Sequence, residues 1–251
     1  MSSGSFGSRV RRSSDPRLLT GRGAYIDDLK LPGLLHLAVW RSPLAHATVQ
    51  RINVHRALAL DGVVDAFDLT AFGDSPPSFP VVLTHEALKS CPQYPLARDR
   101  VRYVGEGVAV VVAEARAIAE DALDLIDVSL EALAPVASTQ AALSGAAPQL
   151  HAEALKNVCA EWPLRLGNVD AAFQQADLVV RESFAIQRHT GVPIETRGVV
   201  AQADPISGEL VIWVSGQWPH ATRALAARML GLTPRQIGYA LKKHGIEVKQ
   251  L

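Results

Sequence analysis

The run Val101 to Val136, VRYVGEGVAVVVAEARAIAEDALDLIDVSLEALAPV, leaves a chain few ways to fold. Val108 to Ala113 is an unbroken apolar segment with four valines, the length and character of a strand buried on both faces. Beyond it, apolar residues fall at Ala115, Ile118, Ala119, Ala122, Leu123 and Ile126. That is helical spacing, and it leaves Glu114, Glu120, Asp121 and Asp124 for the wet side. Val128, Leu130 and Ala132 then alternate with Ser129 and Glu131, so a second strand follows and Pro135 limits it. Strand, helix and strand in this length predict a crossover unit around which the first half of the chain packs. Gly105 and Gly107 flank Glu106 ahead of the first strand. A nucleotide-binding loop lies between strand and helix, so these glycines read as a backbone bend.

Strands are also predicted over Leu34 to Trp40, Thr48 to Val54, Val63 to Leu69 and Leu178 to Gln187, with a short helix at His55 to Leu60. The proline-rich run Asp74 to Pro80 reads as a surface loop. Ser138 to His151 is rich in alanine, serine and glutamine, the composition of a connection between domains. Asn168 can cap a helix over Val169 to Ala176. Gly198 to Ala203 and Glu209 to Val214 form a hairpin pattern around Asp204-Pro205-Ile206-Ser207-Gly208. Helices follow from Pro219 to Leu230, with Gly231 at the stop, and again after Thr233-Pro234. The basic residues of the last segment, Lys242, Lys243, His244 and Lys249, suit a solvated helix end.

Composition narrows the function classes. Twenty-five basic residues balance 25 acidic ones, so nothing favours nucleic acid or an anionic membrane. No apolar run reaches the ~20 residues of a membrane span, and MSSGSFGSRVRRSSDPR lacks the apolar region of a secretory signal. Cys91 and Cys159 belong to no CxxC pair and offer no iron–sulfur or zinc framework, so a reduced, cytoplasmic setting is expected. P-loop, HExxH, GxSxG and Rossmann signatures are absent. The eight histidines are scattered, which favours surface or hydrogen-bonding roles over metal ligation. Glu106 and Glu195 are the carboxylates in unusual settings. Either could serve as general acid or base if buried, while the plainer reading pairs Glu195 with Arg197.

Several phrases, in order, resemble one family: VRRSSDPRLLTGRGAYIDDL, RSPLAHATVQRINV, the run Asp99 to Val136, GNVDAAFQQADLVV, HTGVPIETRGVVAQAD and LVIWVSGQWPHATRALAARMLGL. They are similar to the large, molybdopterin-binding subunits of the xanthine dehydrogenase, aldehyde oxidase and aerobic carbon monoxide dehydrogenase family, over its N-terminal portion. The resemblance implies an α/β (α+β) fold. A flexible arm at 1–19 precedes a hammerhead domain at 20–137, a linker at 138–160 and the truncated start of a molybdenum-binding domain at 161–251. It implies molybdopterin carrying molybdenum, in bacteria often as the cytosine dinucleotide. The chemistry is hydroxylation of an aldehyde or N-heterocycle, or oxidation of carbon monoxide, with oxygen from water. Electrons leave through iron–sulfur and FAD subunits, so those are the implied partners.

One residue transfers with its motif. Gln217 in VSGQWPH matches the family glutamine that approaches the molybdenum oxo ligand, a role an amide can fill by donating and accepting at once. Its plain alternative is a strand-end glutamine bonded to backbone. No catalytic residue or metal ligand is assigned. After Leu232 the sequence departs from the family pattern: the GGGFG loop, later pterin-binding segments and the catalytic glutamate are not found. The expectation is a fragment, truncated, frameshifted or split with a partner chain supplying the rest. Alone it should hold no cofactor stably and show no activity. A non-catalytic binding or assembly module derived from the same subunit is the alternative.

Overall fold

The computed structural model describes residues 7, 9, 11–79, 85–164, 166–187, 189–204, 206 and 210–230. In chain order the elements begin with α1 (Asp15–Leu19), β1 (His36–Arg41), β2 (Ala47–Asn53), α2 (His55–Leu58) and β3 (Val63–Asp68). Next come β4 (Arg100–Val101), β5 (Gly107–Ala113), α3 (Arg116–Leu123), β6 (Asp127–Ala132) and α4 (Thr139–Leu143). The last are α5 (Val169–Gln175), β7 (Val199–Ala203), β8 (Leu210–Val214) and α6 (Pro219–Met229). They group into two compact units, one of residues 32–186 and one joining residues 1–31 to 187–251.

Residues 32–186 are built on β5. It is the central strand of a sheet ordered β1-β5-β3, antiparallel to both neighbours. Having strands on both edges and cover on both faces demands apolar residues at every position, which GVAVVVA supplies. Val108, Ala109, Val111 and Ala113 are fully buried. Ala109 and Val111 pack with Ala57, Ala66, Ala122 and Ile126, hence against α2 and α3. Val108 and Val110 serve two other clusters, the first with Ala47, Ala97 and Val101 and the second with Leu69 and Leu96. Small alanines on α3, Ala119 and Ala122, let its backbone come close to β5.

The predicted strand, helix and strand are therefore all present, but the crossover is not. β6 lies in a second sheet, ordered β4-β2-β6, where it runs antiparallel to β2 from Asn53↔Asp127 to Ala47↔Ala132. The reason is edge occupancy. Both edges of β5 are taken by β1 and β3, so the chain leaving α3 must join another sheet. Alternation along β6 leaves Val128 and Leu130 half-buried, and both pack on the Ala47–Val101–Val108 cluster.

Leu178 to Gln187 is the second correction: it forms no strand, and Leu178, Val180, Phe184 and Ile186 are exposed. Its backbone finds no pairing edge among the described residues. The strand expected at Leu34 begins at His36, and the other early strands and α2 fall within two residues of expectation. Gly105 has φ +88° and closes the turn into β5, where the Gly105 N–H donates to Ser42 O at 2.8 Å and Arg41 donates to Gly105 O at 2.9 Å. Gly105 is the bend that the sequence predicted, whereas Gly107 is the first residue of β5, paired with Arg41.

Residues 138–160 are tied down locally. The Ser138 hydroxyl accepts from the Ala141 N–H and caps α4. Asn157, in the left-handed region at φ 59°, accepts from the Leu150 N–H at 2.9 Å and donates to Pro148 O at 3.0 Å. Asn168 caps α5 through the Ala171 N–H, as predicted. In the other unit, β7 and β8 form the expected antiparallel hairpin, Val199↔Val214 to Ala203↔Leu210, and Pro219 opens α6 at its first turn. Most of the predicted hairpin turn, the Gly231 stop and the helix after Thr233 lie outside the described residues. Among those described, no helix is long and apolar enough to cross a membrane.

Candidate functional site

Gln217 lies on the bend between β8 and α6, exposed and without a hydrogen-bond partner among the described residues. The bend is held from the strand side. Ser215 Oγ accepts from the Gly198 N–H at 2.7 Å and donates to Thr196 O at 2.9 Å, while the Ser215 N–H donates to Gly198 O at 3.0 Å. From the helix side, the Thr222 N–H donates to Trp218 O at 2.9 Å, and no side chain caps the helix start. The plain reading of Gln217 as a strand-end residue bonded to backbone therefore lacks its bond. Two helical turns on, Arg223 Nε is buried with no acceptor among the described residues. An amide able to donate and accept, and a guanidinium N–H needing an acceptor, flank the N-terminal turns of α6.

Glu195 is fixed in the same unit. Its Oε1 accepts from the Ile26 N–H at 2.9 Å, across 169 residues of sequence. Gly198 faces Ile26 so closely that a Cβ there would meet Ile26 Cγ2 at 3.0 Å. No ion pair joins Glu195 to Arg197 among the described residues, so the paired reading is replaced by a backbone tether.

Glu106 belongs to residues 32–186. Burial pushes its carboxyl above the usual carboxylate range, while the Arg102 backbone N–H, the Arg102 charge and the Tyr103 N–H pull the other way. Its Oε2 accepts from Arg102 N at 2.5 Å, and its carbonyl accepts from the Ser42 N–H. Glu106 staples the turn ahead of β5.

A shallow cavity of about 460 Å³ lies over the ends of β2 and β3, lined among others by Arg51, Asn53, His55 and Asp68. Its polar groups are already engaged: Arg51 with Asp127 at 2.6 Å, Asn53 with the His55 N–H, and Asp68 with Thr70. His46 is buried, its Nδ1 bonded to Ala134 O at 2.7 Å and its Nε2 without a partner among the described residues. A hydrogen-bonding role is what the scattered histidines predicted.

Sequence reasoning missed one grouping. Cys91 Sγ, a His151 ring nitrogen and a Glu153 carboxylate oxygen all lie within 4.8 Å of one another. Positions 91, 151 and 153 match no ligand spacing, so only the fold brings them together. Lys89 N donates to Cys159 O at 2.7 Å, which places the second cysteine's backbone beside the same strand of chain.

Comparison with known proteins supplies the remaining constraint. Residues 20–134 match the aldehyde oxidase and xanthine dehydrogenase a/b hammerhead domain, and residues 150–245 match the molybdopterin cofactor-binding domain. The nicotine 6-hydroxylase large subunit of Paenarthrobacter nicotinovorans is 37% identical over 90% of this chain and 28% of its own length. The carbon monoxide dehydrogenase large chain of Hydrogenophaga pseudoflava is 31% identical over 91% of this chain and 30% of its own. Quinoline 2-oxidoreductase from Pseudomonas putida 86 superposes with a TM-score of 0.80 at 37% identity, covering 93% of this chain and 30% of that one. The chain thus spans under a third of the length of these relatives.

Proposed function

The chain belongs to the aldehyde oxidase and xanthine dehydrogenase family of molybdopterin-dependent large subunits, and we propose that it serves as the hammerhead and cofactor-approaching portion of a molybdenum hydroxylase that oxidises an N-heterocycle. The two 37% identical relatives reported above are named for nicotine and quinoline, which favours that class over aldehydes or carbon monoxide. Iron–sulfur and FAD subunits receive the electrons, and the molybdopterin carries a cytosine nucleotide. When bound, the molybdenum cofactor supplies a two-electron oxidation that uses oxygen from water.

The observation that carries this reading is the unpartnered amide of Gln217 on a bend held by Ser215. The residues fit the group as far as they reach. Gln217 presents an N–H to an oxo acceptor and a carbonyl to a donor, and Arg223 offers a cationic N–H to an anionic arm of the cofactor. The Ser215 bonds hold the backbone bend that carries Gln217, so the ordering left for binding is that of the side chain.

In the assembled enzyme carrying this sequence, Gln217→Ala should lower turnover of an N-heterocycle about 10- to 100-fold, the usual effect of losing an outer-sphere partner. Molybdenum content per large subunit should stay that of the parent, which separates a turnover effect from loss of the cofactor. Unchanged turnover would remove Gln217 from the site, and turnover of carbon monoxide alone would overturn the substrate class.

A further inference from the structure

We propose that Cys91, His151 and Glu153 form a binding site for a borderline-soft divalent cation of the zinc type, through thiolate, imidazole and carboxylate, with the fourth position open to water. Nothing in the family match assigns these residues, and the proposal does not depend on the reading of Gln217.

Three observations carry it. The donor atoms lie within 4.8 Å of one another. A tetrahedral zinc with bonds of about 2.0–2.3 Å needs its ligands roughly 3.5 Å apart, which short side-chain rotations would reach. The set S, N and O is one that zinc accepts, and three protein ligands with an open position is a common zinc arrangement.

Next, the loop that presents two of the ligands is held in shape. Gln149 Nε2 donates to the carbonyls of His151 and Ala152, both at 2.9 Å, and the Ala154 N–H donates to His151 O at 3.2 Å. Ala154 is buried beneath the loop, and Asn157 ties its two ends. The third ligand is brought alongside by the bond from Lys89 N to Cys159 O.

Finally, the cationic side chain whose charge reaches Cys91 and His151 is held on other acceptors. Arg102 opposes the cation, but its Nε is committed to Leu150 O at 2.8 Å and its NH1 to Arg100 O at 3.1 Å. On binding, Cys91 loses its proton to solvent and the S–H bond is exchanged for S–metal; no redox change occurs.

The test uses the full 251-residue chain, reduced and stripped with chelator. Titration with Co²⁺ should show one equivalent bound, with a near-ultraviolet thiolate charge-transfer band that Zn²⁺ displaces. Cys91→Ser should abolish that band. His151→Ala and the exposed, conservative Glu153→Gln should each weaken Co²⁺ at least tenfold with unchanged circular dichroism, whereas Cys159→Ser should leave the band in place. Absence of the band in the parent overturns the site, as does a band that survives Cys91→Ser. Loss of the band in Cys159→Ser would also refute it.

Discussion

Two stretches of residues 32–186 look alike on paper and end differently. Gly107–Ala113 and Leu178–Ile186 are both rich in strand-forming residues, yet the first is the buried centre of a sheet and the second leaves Phe184 and Ile186 more than four-fifths exposed. Strand propensity is a fit to a pleated, covered surface. β5 has that surface on both faces and both edges, whereas 178–186 has neither edge nor cover among the described residues. Position within the packing decides, and the apolar side chains only permit it.

The comparison breaks most visibly under a buried charge. Val111→Asp should cost more than ~4 kcal/mol, because an unpaired carboxylate replaces a fully buried side chain, whereas Phe184→Asp, at a residue 87% exposed, should stay within about 0.5 kcal/mol. Urea unfolding of both variants measures this. Comparable losses would mean that the exposed stretch is packed in solution.

Amide exchange sharpens the contrast without mutation. The β5 amides should exchange at least a hundredfold more slowly than those of 178–187, since local opening near the exposed stretch needs little energy. Equal protection would refute it. Between these extremes lies the 138–160 segment. Asn157→Ala removes its bonds to Leu150 and Pro148 and places a Cβ residue less suited to φ 59°, a loss of about 1–3 kcal/mol. Thermal melting should show it. Ser215→Ala, which releases the β8–α6 bend, should cost about 1 kcal/mol and speed exchange at Gly198.

The smallest effect concerns Glu106. Its folded carboxyl titrates above the ordinary value, so its contribution to stability is present below that value and is lost as pH rises through the raised one. Glu106→Gln keeps an acceptor for Arg102 N and cannot ionise. Its stability relative to the parent should therefore improve as pH climbs out of the carboxylate range, read from paired melts at pH 4 and above. A difference flat with pH would show that burial does not perturb the group.

How much was legible follows from range. The periodicity of 108–132 reported each element because side chains three and two apart carry that signal locally. It could not report that β1 and β3 would claim both edges of β5, since that depends on residues tens of positions upstream. Asn168 and Pro219 were readable as helix starts because capping is local chemistry. Gln217 was readable only through its motif. The Glu195 tether to Ile26 and the meeting of Cys91 with His151 and Glu153 leave no mark on neighbouring residues, so no local pattern announced them.

The tether from Ile26 to Glu195 also sets an order of events during synthesis. At about 5–20 residues per second, the ribosome delivers Glu195 roughly ten to thirty seconds after Ile26. The early segment must wait through that interval while the intervening sheets become available to fold. Closing a loop of that length costs about 4–5 kcal/mol more in chain entropy than forming an adjacent contact, so the clasp closes late, after the intervening sheets have shortened the effective loop.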